Sequence, residues 1–427
     1  MINCIGAGLA GCEAAYQIAK RGECVTLYDM KPKVMSPAHS YTGFSELVCS
    51  NSLRSDRLSN AAGLLKEEMR LLDSLILRAA DAVRVKAGGA LAVDRKMFSD
   101  YITDEIRKNP YITIVADEVK NIPEGKTIIA TGPLTDGALL KSIESVMGEP
   151  LHFFDAAAPI VTAESLNMDV VFSGSRYERG DDYLNCPMNQ KEYFDFLRAL
   201  IGAETAVLHE FERGDVFEGC MPIEIMAKRG DLTLAYGPLK PVGLVDLRKN
   251  DRAFAVVQLR RENEQGTLYN LVGFQTNLKF ADQKRVFSMI PGLENAQFVR
   301  YGVMHRNTFL NSPGKLTVGY RVKSKPELYF AGQITGVEGY IESAASGLIA
   351  GICAVTEKDI DFTGKTAIGA LSHYISGYSG KDFQPQNINF GIMEPLSNKV
   401  KNKQDRYLAI SDRAIYTVKT IQNENNL

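Results

Sequence analysis

The 427 residues contain no C-x-x-C pair and no internal repeat. No apolar run approaches the ~18 residues that span a membrane, and neither charge is in excess: 49 Lys and Arg stand against 51 Asp and Glu, a formal net charge of -2. Each absence removes a class of function. Seven cysteines, odd in number and scattered through a chain that opens without a basic leader, argue against disulfides and against a metal site. The lack of a long apolar run and of a leader makes a cytoplasmic protein with no membrane partner the expectation. Near-neutrality excludes a globally basic nucleic-acid coat, so an RNA partner must be met by local clusters, because screening confines each exposed charge to about 8–10 Å. What remains is the composition of a soluble enzyme, 45% hydrophobic and long enough for about two to three domains.

What is present begins at the second residue. Ile2 to Ile5 reads as a short apolar strand running into Gly6-Ala7-Gly8-Leu9-Ala10-Gly11, a G-x-G-x-x-G followed by the helical pattern of Ala14, Ala15, Ile18 and Ala19. Gly6 permits the tight turn, Gly8 lets backbone approach a pyrophosphate, and Gly11 lets helix and strand pack closely. A second strand ends at Asp29, an acid placed to hold ribose hydroxyls. The strand at 127–129 leads into Ala130-Thr131-Gly132, and that at 328–330 leads into Gly332-Gln333-Ile334-Thr335-Gly336, ahead of a small-residue helix over 343–351. Glycine loops in the first and last thirds fit FAD better than a nicotinamide dinucleotide, because FAD has a second bulky end to enclose. No second fingerprint is visible for NADH or NADPH, which is expected to dock transiently as a reductant. Between these parts, short alternating segments such as 253–259 and 268–274 are bounded by Gly, Pro and Asn, the texture of an antiparallel sheet. The expected fold is α/β: a Rossmann-type FAD-binding domain in two parts, 1–150 and 316–427, with an inserted mixed α+β, largely antiparallel-sheet domain over 151–315.

The cysteines divide into two groups. Cys4, Cys12, Cys24 and Cys353 sit in apolar patterns and read as small hydrophobes. Cys49 stands where the apolar Leu47-Val48 gives way to the polar Ser50-Asn51-Ser52, and Cys220 lies between Gly219 and the bend of Met221-Pro222. Asn185-Cys186-Pro187 reads as a similar turn. A nucleophilic thiol needs a neighbouring cation such as Arg54, Lys228 or Arg229, a helix N-terminus or a base, and the residues alone rank none of these three cysteines above the others.

Seven segments then carry a resemblance: 37–39, 46–54, 87–95, 154–160, 218–224, 302–308 and 336–345. In order, and over essentially the whole chain, they resemble the TrmFO family of folate- and FAD-dependent tRNA uracil-5-methyltransferases. The chain is also similar to the tRNA-modifying GidA flavoproteins, without the long C-terminal helical extension expected of that group, and Asp29 stands where a glutamate is expected. The resemblance implies an FAD enzyme that takes one carbon from 5,10-methylenetetrahydrofolate, with NADH or NADPH as reductant, and delivers it to C5 of a T-loop uridine in tRNA. It singles out Cys220 and Cys49 as the thiolate nucleophile and the base. Cys220 is taken as the nucleophile for its rigid turn, with the reverse assignment open. His305 is the candidate to cover the far face of the pterin, Arg306 and Arg54 to bind substrate, and Tyr340 and Glu342 to belong to the flavin loop. RNA phosphates are expected at Arg54, Arg57, Lys228, Arg229, Arg260, Arg261 and the lysines of 399–403. The alternatives are the same chemistry on a uridine of 23S ribosomal RNA, an FAD-dependent oxidoreductase of a small molecule, and a non-catalytic flavin-bearing scaffold. Oligomeric state is open.

Overall fold

The computed structural model describes residues 1–36, 38–176, 180–206, 221–246 and 252–427; the side chains of 153–155 and 305 are outside that description. One six-stranded sheet has the order β16 (Arg321–Val322), β17 (Lys325–Phe330), β7 (Thr127–Ile129), β1 (Ile2–Ile5), β2 (Val25–Asp29), β6 (Ile112–Ala116). Its last five strands are parallel, and β16 turns back on β17. Helices cover the sheet, which is why β1 and β7 are buried along almost their whole length rather than on one face only. The chain leaves β1 for β2 and β6 on one side, then returns to β7 on the other. This reversal puts a crevice at the C-terminal ends of β1 and β7, where open α/β sheets bind ligands. Gly6, Gly132 and Gly332 each follow one of these parallel strands within three residues.

Helices α1 (Leu9–Lys20) and α10 (Tyr340–Thr356) cross with their backbones in contact. A Cβ on Gly347 would stand 2.1 Å from the Ala10 carbonyl oxygen, and one on Gly351, a turn later, 2.7 Å from that of Ala14. Fourteen of the seventeen α10 residues are buried, as befits a helix apolar on all sides. Below lie α2 (Ala61–Leu71) and α3 (Leu75–Ala82). Glu68 of α2 accepts the Ala367 and Ile368 N–H groups at the start of α11 (Ala367–Gly377), at 2.7 and 2.8 Å. The long α12 (Lys403–Asn425) lies against α2, tied by Ser411 Oγ to Leu58 O at 2.7 Å and by Gln422 to Leu71 O at 3.1 Å. A small sheet, β3 (Ser52–Ser55), β5 (Ala90–Val93) and β4 (Arg84–Val85), precedes α4 (Arg95–Lys108), whose first N–H groups are capped by Asp94. Helix α5 (Gly137–Met147) follows β7.

A second six-stranded sheet, antiparallel throughout, has the order β10 (Phe172–Ser173), β11 (Leu184–Met188), β12 (Ala255–Arg261), β13 (Leu268–Leu271), β9 (Ile160–Thr162), β14 (Phe298–Arg300). With α6 (Gln190–Ile201), α7 (Ile223–Ala227), α8 (Thr233–Tyr236) and α9 (Phe280–Phe287) it encloses its own core, which includes Tyr193, Phe196, Leu200, Phe274 and Phe287. A two-stranded ladder of β8 (Leu151–Ala156) and β15 (Met304–Phe309) joins the chain entering this region to the chain leaving it. The architecture is the expected one, a Rossmann-type α/β unit carrying an inserted antiparallel unit.

Two cysteine readings are corrected. Cys24 is exposed, one residue before β2 begins, and is not a core residue. Cys186 is not in a turn: it is fully buried in β11, opposite Val257, and burial pushes its thiol up. Pro187 is tolerated there because β10 pairs only with Leu184 and Asn185, so the position beyond needs no N–H on that side.

Gly347→Val tests the helix crossing. Its side chain meets backbone, which cannot swing aside, so the apoprotein should lose about 3 kcal/mol or more, read as a fall in the thermal midpoint.

Candidate active site

A cavity of 490 Å³ opens at the C-terminal edge of the parallel sheet. The three glycines of the first loop divide their work. Gly6 has φ +99°, and a Cβ there would stand 2.6 Å from the Ala130 carbonyl oxygen; one on Gly11 would stand 1.7 Å from that of Gly6. Gly8 is different: nothing lies within 4 Å of its Cβ position, and it lines the cavity with Gly6, Ala7, Leu9 and Ala10. The N-cap residues of α1 and α10, Gly8 and Gly339, give no side-chain cap, so apart from Glu342, whose N–H meets its own carboxylate, the first N–H groups and positive dipole ends are left for a ligand. Gly132, at φ +77°, likewise has nothing within 4 Å and lines the cavity beside Thr131, whose hydroxyl meets that of Thr135 at 2.6 Å. The uncapped helix N-termini, with open backbone at Gly8 and after β7 at Gly132, fit the phosphates of a dinucleotide.

Asp29 lines the same cavity. Its carboxylate accepts the Ala7 N–H at 2.7 Å and the Lys31 N–H at 2.8 Å, which fixes the first loop to the end of β2 and leaves acceptor capacity for a ribose. Gln333 donates to both oxygens of Glu338 at 3.0 Å, and both residues face the cavity, as does Gly332 at φ +87°. Gly11 and Gly336 do not line it: Gly336 accommodates the Phe383 ring, 2.6 Å from where a Cβ would be. The thiols behind the first loop are structural. Cys12, which donates to Ala7 O at 3.3 Å, is pushed up to about 12 by burial, and burial raises Cys4 as well.

Cys49 lies on the cavity wall, and the segment around it is held from three elements. The Tyr340 phenol oxygen, on the first turn of α10, accepts the N–H of Cys49 at 2.6 Å and of Ser50 at 3.2 Å. Burial, followed by the nearby Cys49, holds this phenol well above 10, so it is neutral. Arg95, at the start of α4, donates to the carbonyls of Leu47 at 2.6 Å and Val48 at 3.0 Å and pairs with buried Glu262 at 2.5 Å. From β12, Arg260 donates to Ser50 Oγ at 2.7 Å and to Asn51 Oδ1 at 2.9 Å, while Asn51 donates to Val93 O and Arg261 O. Arg300 adds a further cation: burial and then Arg95 lower its pKa, and Cys49 opposes them. Cys49 therefore sits in a cationic setting, the kind that favours a thiolate.

Arg54 also lines the cavity, in the left-handed region at φ +64°. It pairs with Glu342, which is fully buried and also accepts the Ile388 N–H at 3.0 Å. On either side of Arg54, the Leu53 and Ser55 carbonyls accept from buried Lys66 at 2.9 and 2.7 Å, and burial brings that amine down to about 7. These contacts support the unusual backbone.

The inserted unit contributes Ala156, Gln275 and Asn307 to the wall. Cys220 lies outside the described residues, and so does the side chain of His305, whose backbone pairs with Asp155. Three residues after Cys220, Ile223 donates its N–H to the carbonyl of Gln275 at 2.7 Å, and Glu224 accepts from Thr276 Oγ1 and Asn277 N at 2.8 Å. Arg306 is exposed and does not line the cavity; its neighbour Asn307 does. Arg260 is corrected as a phosphate contact, since it is 8% exposed and bonded to Ser50 and Asn51. Arg95, Arg300, Glu262 and Asn51 had no role from sequence; the one available signal was that Arg95 and Asn51 fall inside two of the resembling segments. Among the described residues no three His, Cys, Asp or Glu side chains gather as a metal site.

The family model described as "Glucose inhibited division protein A" matches residues 1–359. Among curated proteins, the chain is 60% identical to the methylenetetrahydrofolate--tRNA-(uracil-5-)-methyltransferase TrmFO of Acetivibrio thermocellus, over 98% of both chains. It is 57% identical to that of Listeria monocytogenes over 99% of both, and 55% identical to that of Lactobacillus gasseri over 100% of this chain and 99% of the other. Among solved structures, GidA of Aquifex aeolicus superposes with a TM-score of 0.70 at 15% identity, covering 99% of this chain and 73% of that one, a likeness of fold.

Gly8→Val separates folding from cofactor binding. Its φ is negative and its Cβ meets no protein atom, so the thermal midpoint of the apoprotein should stay within about 2 °C while the purified protein loses most of its bound dinucleotide, read from the absorbance spectrum.

Proposed function

Because this chain belongs to the TrmFO branch of the glucose-inhibited division protein A family, we infer that it methylates C5 of a tRNA uridine with a carbon from 5,10-methylenetetrahydrofolate. One observation carries the reading: enzymes named for this reaction align with it at 55–60% identity from end to end. The cofactor is FAD, held by the first loop, Asp29, Thr131, Gly132, Gly332, Gln333 and the start of α10 at Tyr340. When bound, FAD supplies the hydride and the flavin ring that carries the one-carbon unit. We take NADH or NADPH as the reductant and the cytoplasm as the compartment. No helix among the described residues is long and apolar enough to cross a membrane. The division into 1–150, 151–315 and 316–427 belongs to the same reading, and is supported by two cores, one spanning residues up to Met147 and from Phe309 onward, the other Ala158 to Ala296.

The protein's own part follows from uracil chemistry. C5 is a poor nucleophile until a thiolate adds at C6 and moves an electron pair to the ring as an enolate. C5 then bonds to the one-carbon unit, a base takes the C5 proton, and the electron pair left behind expels the thiolate from C6; hydride replaces the carbon's remaining bond to its donor nitrogen and completes the methyl. We assign the addition to Cys220 and the proton to Cys49. The setting of Arg95 and Arg300 supports a charged Cys49, and the bond from Ile223 to Gln275 supports bringing the Cys220 segment to the cavity wall. His305 is assigned to the pterin face, and Arg54 and Arg306 to substrate anions. Extruding the target base costs a few kcal/mol, least from a loop.

The reading is tested with labelled methylenetetrahydrofolate, NADPH and, in parallel, an unmodified tRNA transcript and an unmodified 23S ribosomal RNA transcript: label should appear as 5-methyluridine in the T loop of the tRNA, and label confined to the ribosomal RNA would contradict it. With 5-fluorouridine at the target, where fluorine cannot leave as a cation, wild-type protein and Cys49→Ala should form a covalent protein–RNA band. Cys220→Ala should form none. A band that survives Cys220→Ala and vanishes in Cys49→Ala reverses the two roles.

A further inference from the structure

The inserted unit carries a ladder of rings leading from its core to its surface. Phe274 meets Phe287 edge-on at 5.2 Å between centroids, and Phe287 leans on Phe298 at 6.4 Å. Phe298 stacks on Tyr301 at 5.3 Å and 11°, and Tyr301 stacks on Phe280 at 4.8 Å and 15°. Phe280, the first residue of α9, is 54% exposed. A single exposed Phe is ordinary. A near-parallel stack rooted in a core and ending on an exposed ring is a rigid surface whose orientation is set before any partner arrives, which lowers the ordering cost of binding.

Its place links it to the cavity. Gly302, next to Tyr301, packs on the Ala157 carbonyl and on Thr276, each adjacent to a cavity-lining residue, Ala156 and Gln275. Exposed cations flank Phe280 in sequence: Lys279 precedes it and Lys284 and Arg285 follow on α9, with Lys279 paired to Glu204 and Arg285 to Asp282. The Lys279–Glu204 pair is exposed on both sides and such pairs are weak, so a phosphate can replace Glu204 at small cost.

We propose that the stack of Phe280, Tyr301 and Phe298 is a platform for a nucleobase of the substrate RNA next to the target uridine. Aromatic rings receive any base on its flat face, with the phosphates on either side held by cations. The platform fixes the strand beside the extruded uridine and so contributes to RNA binding rather than to chemistry. It rests on the tRNA reading above, and the test keeps the two apart.

Initial rates of methylation are measured against tRNA concentration for wild type, Phe280→Leu and Phe280→Tyr, with FAD content and thermal midpoint checked for each. Leucine keeps apolar area without a ring, so Phe280→Leu should raise KM for tRNA about tenfold while kcat stays within about twofold, and KM for the folate should not move. Phe280→Tyr should keep the wild-type KM. A Phe280→Leu KM within twofold of wild type, or equal impairment in both variants, overturns the platform. If wild type transfers no label to tRNA, the functional reading fails. Anisotropy of a fluorescein-labelled T-arm RNA on the same three proteins then decides the platform separately: tenfold weaker binding by Phe280→Leu alone supports it, and equal binding by all three overturns it.

Discussion

The Tyr340 phenol oxygen accepts two backbone N–H groups, those of Cys49 and Ser50, and so fixes the cysteine to the first turn of the helix that closes the cavity. Through this bond the position of Cys49 depends on α10. Helix α10 in turn can approach α1 only because Gly347 and Gly351 leave no side chain between them. A few tenths of an ångström at that crossing would reach Tyr340, then the cysteine backbone, then the geometry of a proton transfer. Arg95 works on the same segment from the other side, through the carbonyls of Leu47 and Val48.

Most of the charges around this segment are withdrawn from water and all are partnered: Arg95 with buried Glu262, Lys66 on three carbonyls, and half-exposed Arg54 with buried Glu342. Buried pairs add little net stability over apolar packing, but losing one partner costs about 3–5 kcal/mol. Their consequence here is positional. Arg95 starts a helix of the Rossmann-type unit, whereas Glu262 and Arg260 belong to the inserted unit, and Asn51 bonds to both sides through Val93 and Arg261. The seating of the inserted unit and the placement of Cys49 are therefore one constraint.

Much of this was legible because the signals were local. Gly6, Gly8 and Gly11 each do what their spacing requires, and the three glycine loops meet at one sheet edge because parallel strands bring their C-terminal ends together. The strand texture after residue 151 produced the antiparallel sheet. The clamp was not legible. Arg95 and Glu262 are 167 residues apart in sequence, and neither has a neighbour that announces a partner. Arg260-Arg261 reads as a surface pair, yet strand β12 turns Arg260 inward to Asn51. Cys186-Pro187 has the composition of a turn, yet both residues pair with β12, and the early end of β10 leaves room for the proline. The small-residue helix was visible, but not that its glycines fall where Ala10 and Ala14 cross.

The claim that Tyr340 positions Cys49 is tested most directly by Tyr340→Phe, which keeps the ring and removes the oxygen. The methylation rate is measured per bound flavin with labelled methylenetetrahydrofolate and tRNA. Two N–H groups left without their acceptor should release the cysteine backbone, and the account predicts a fall in kcat of at least about tenfold with KM for tRNA unchanged. A variant that retains the wild-type kcat would contradict it.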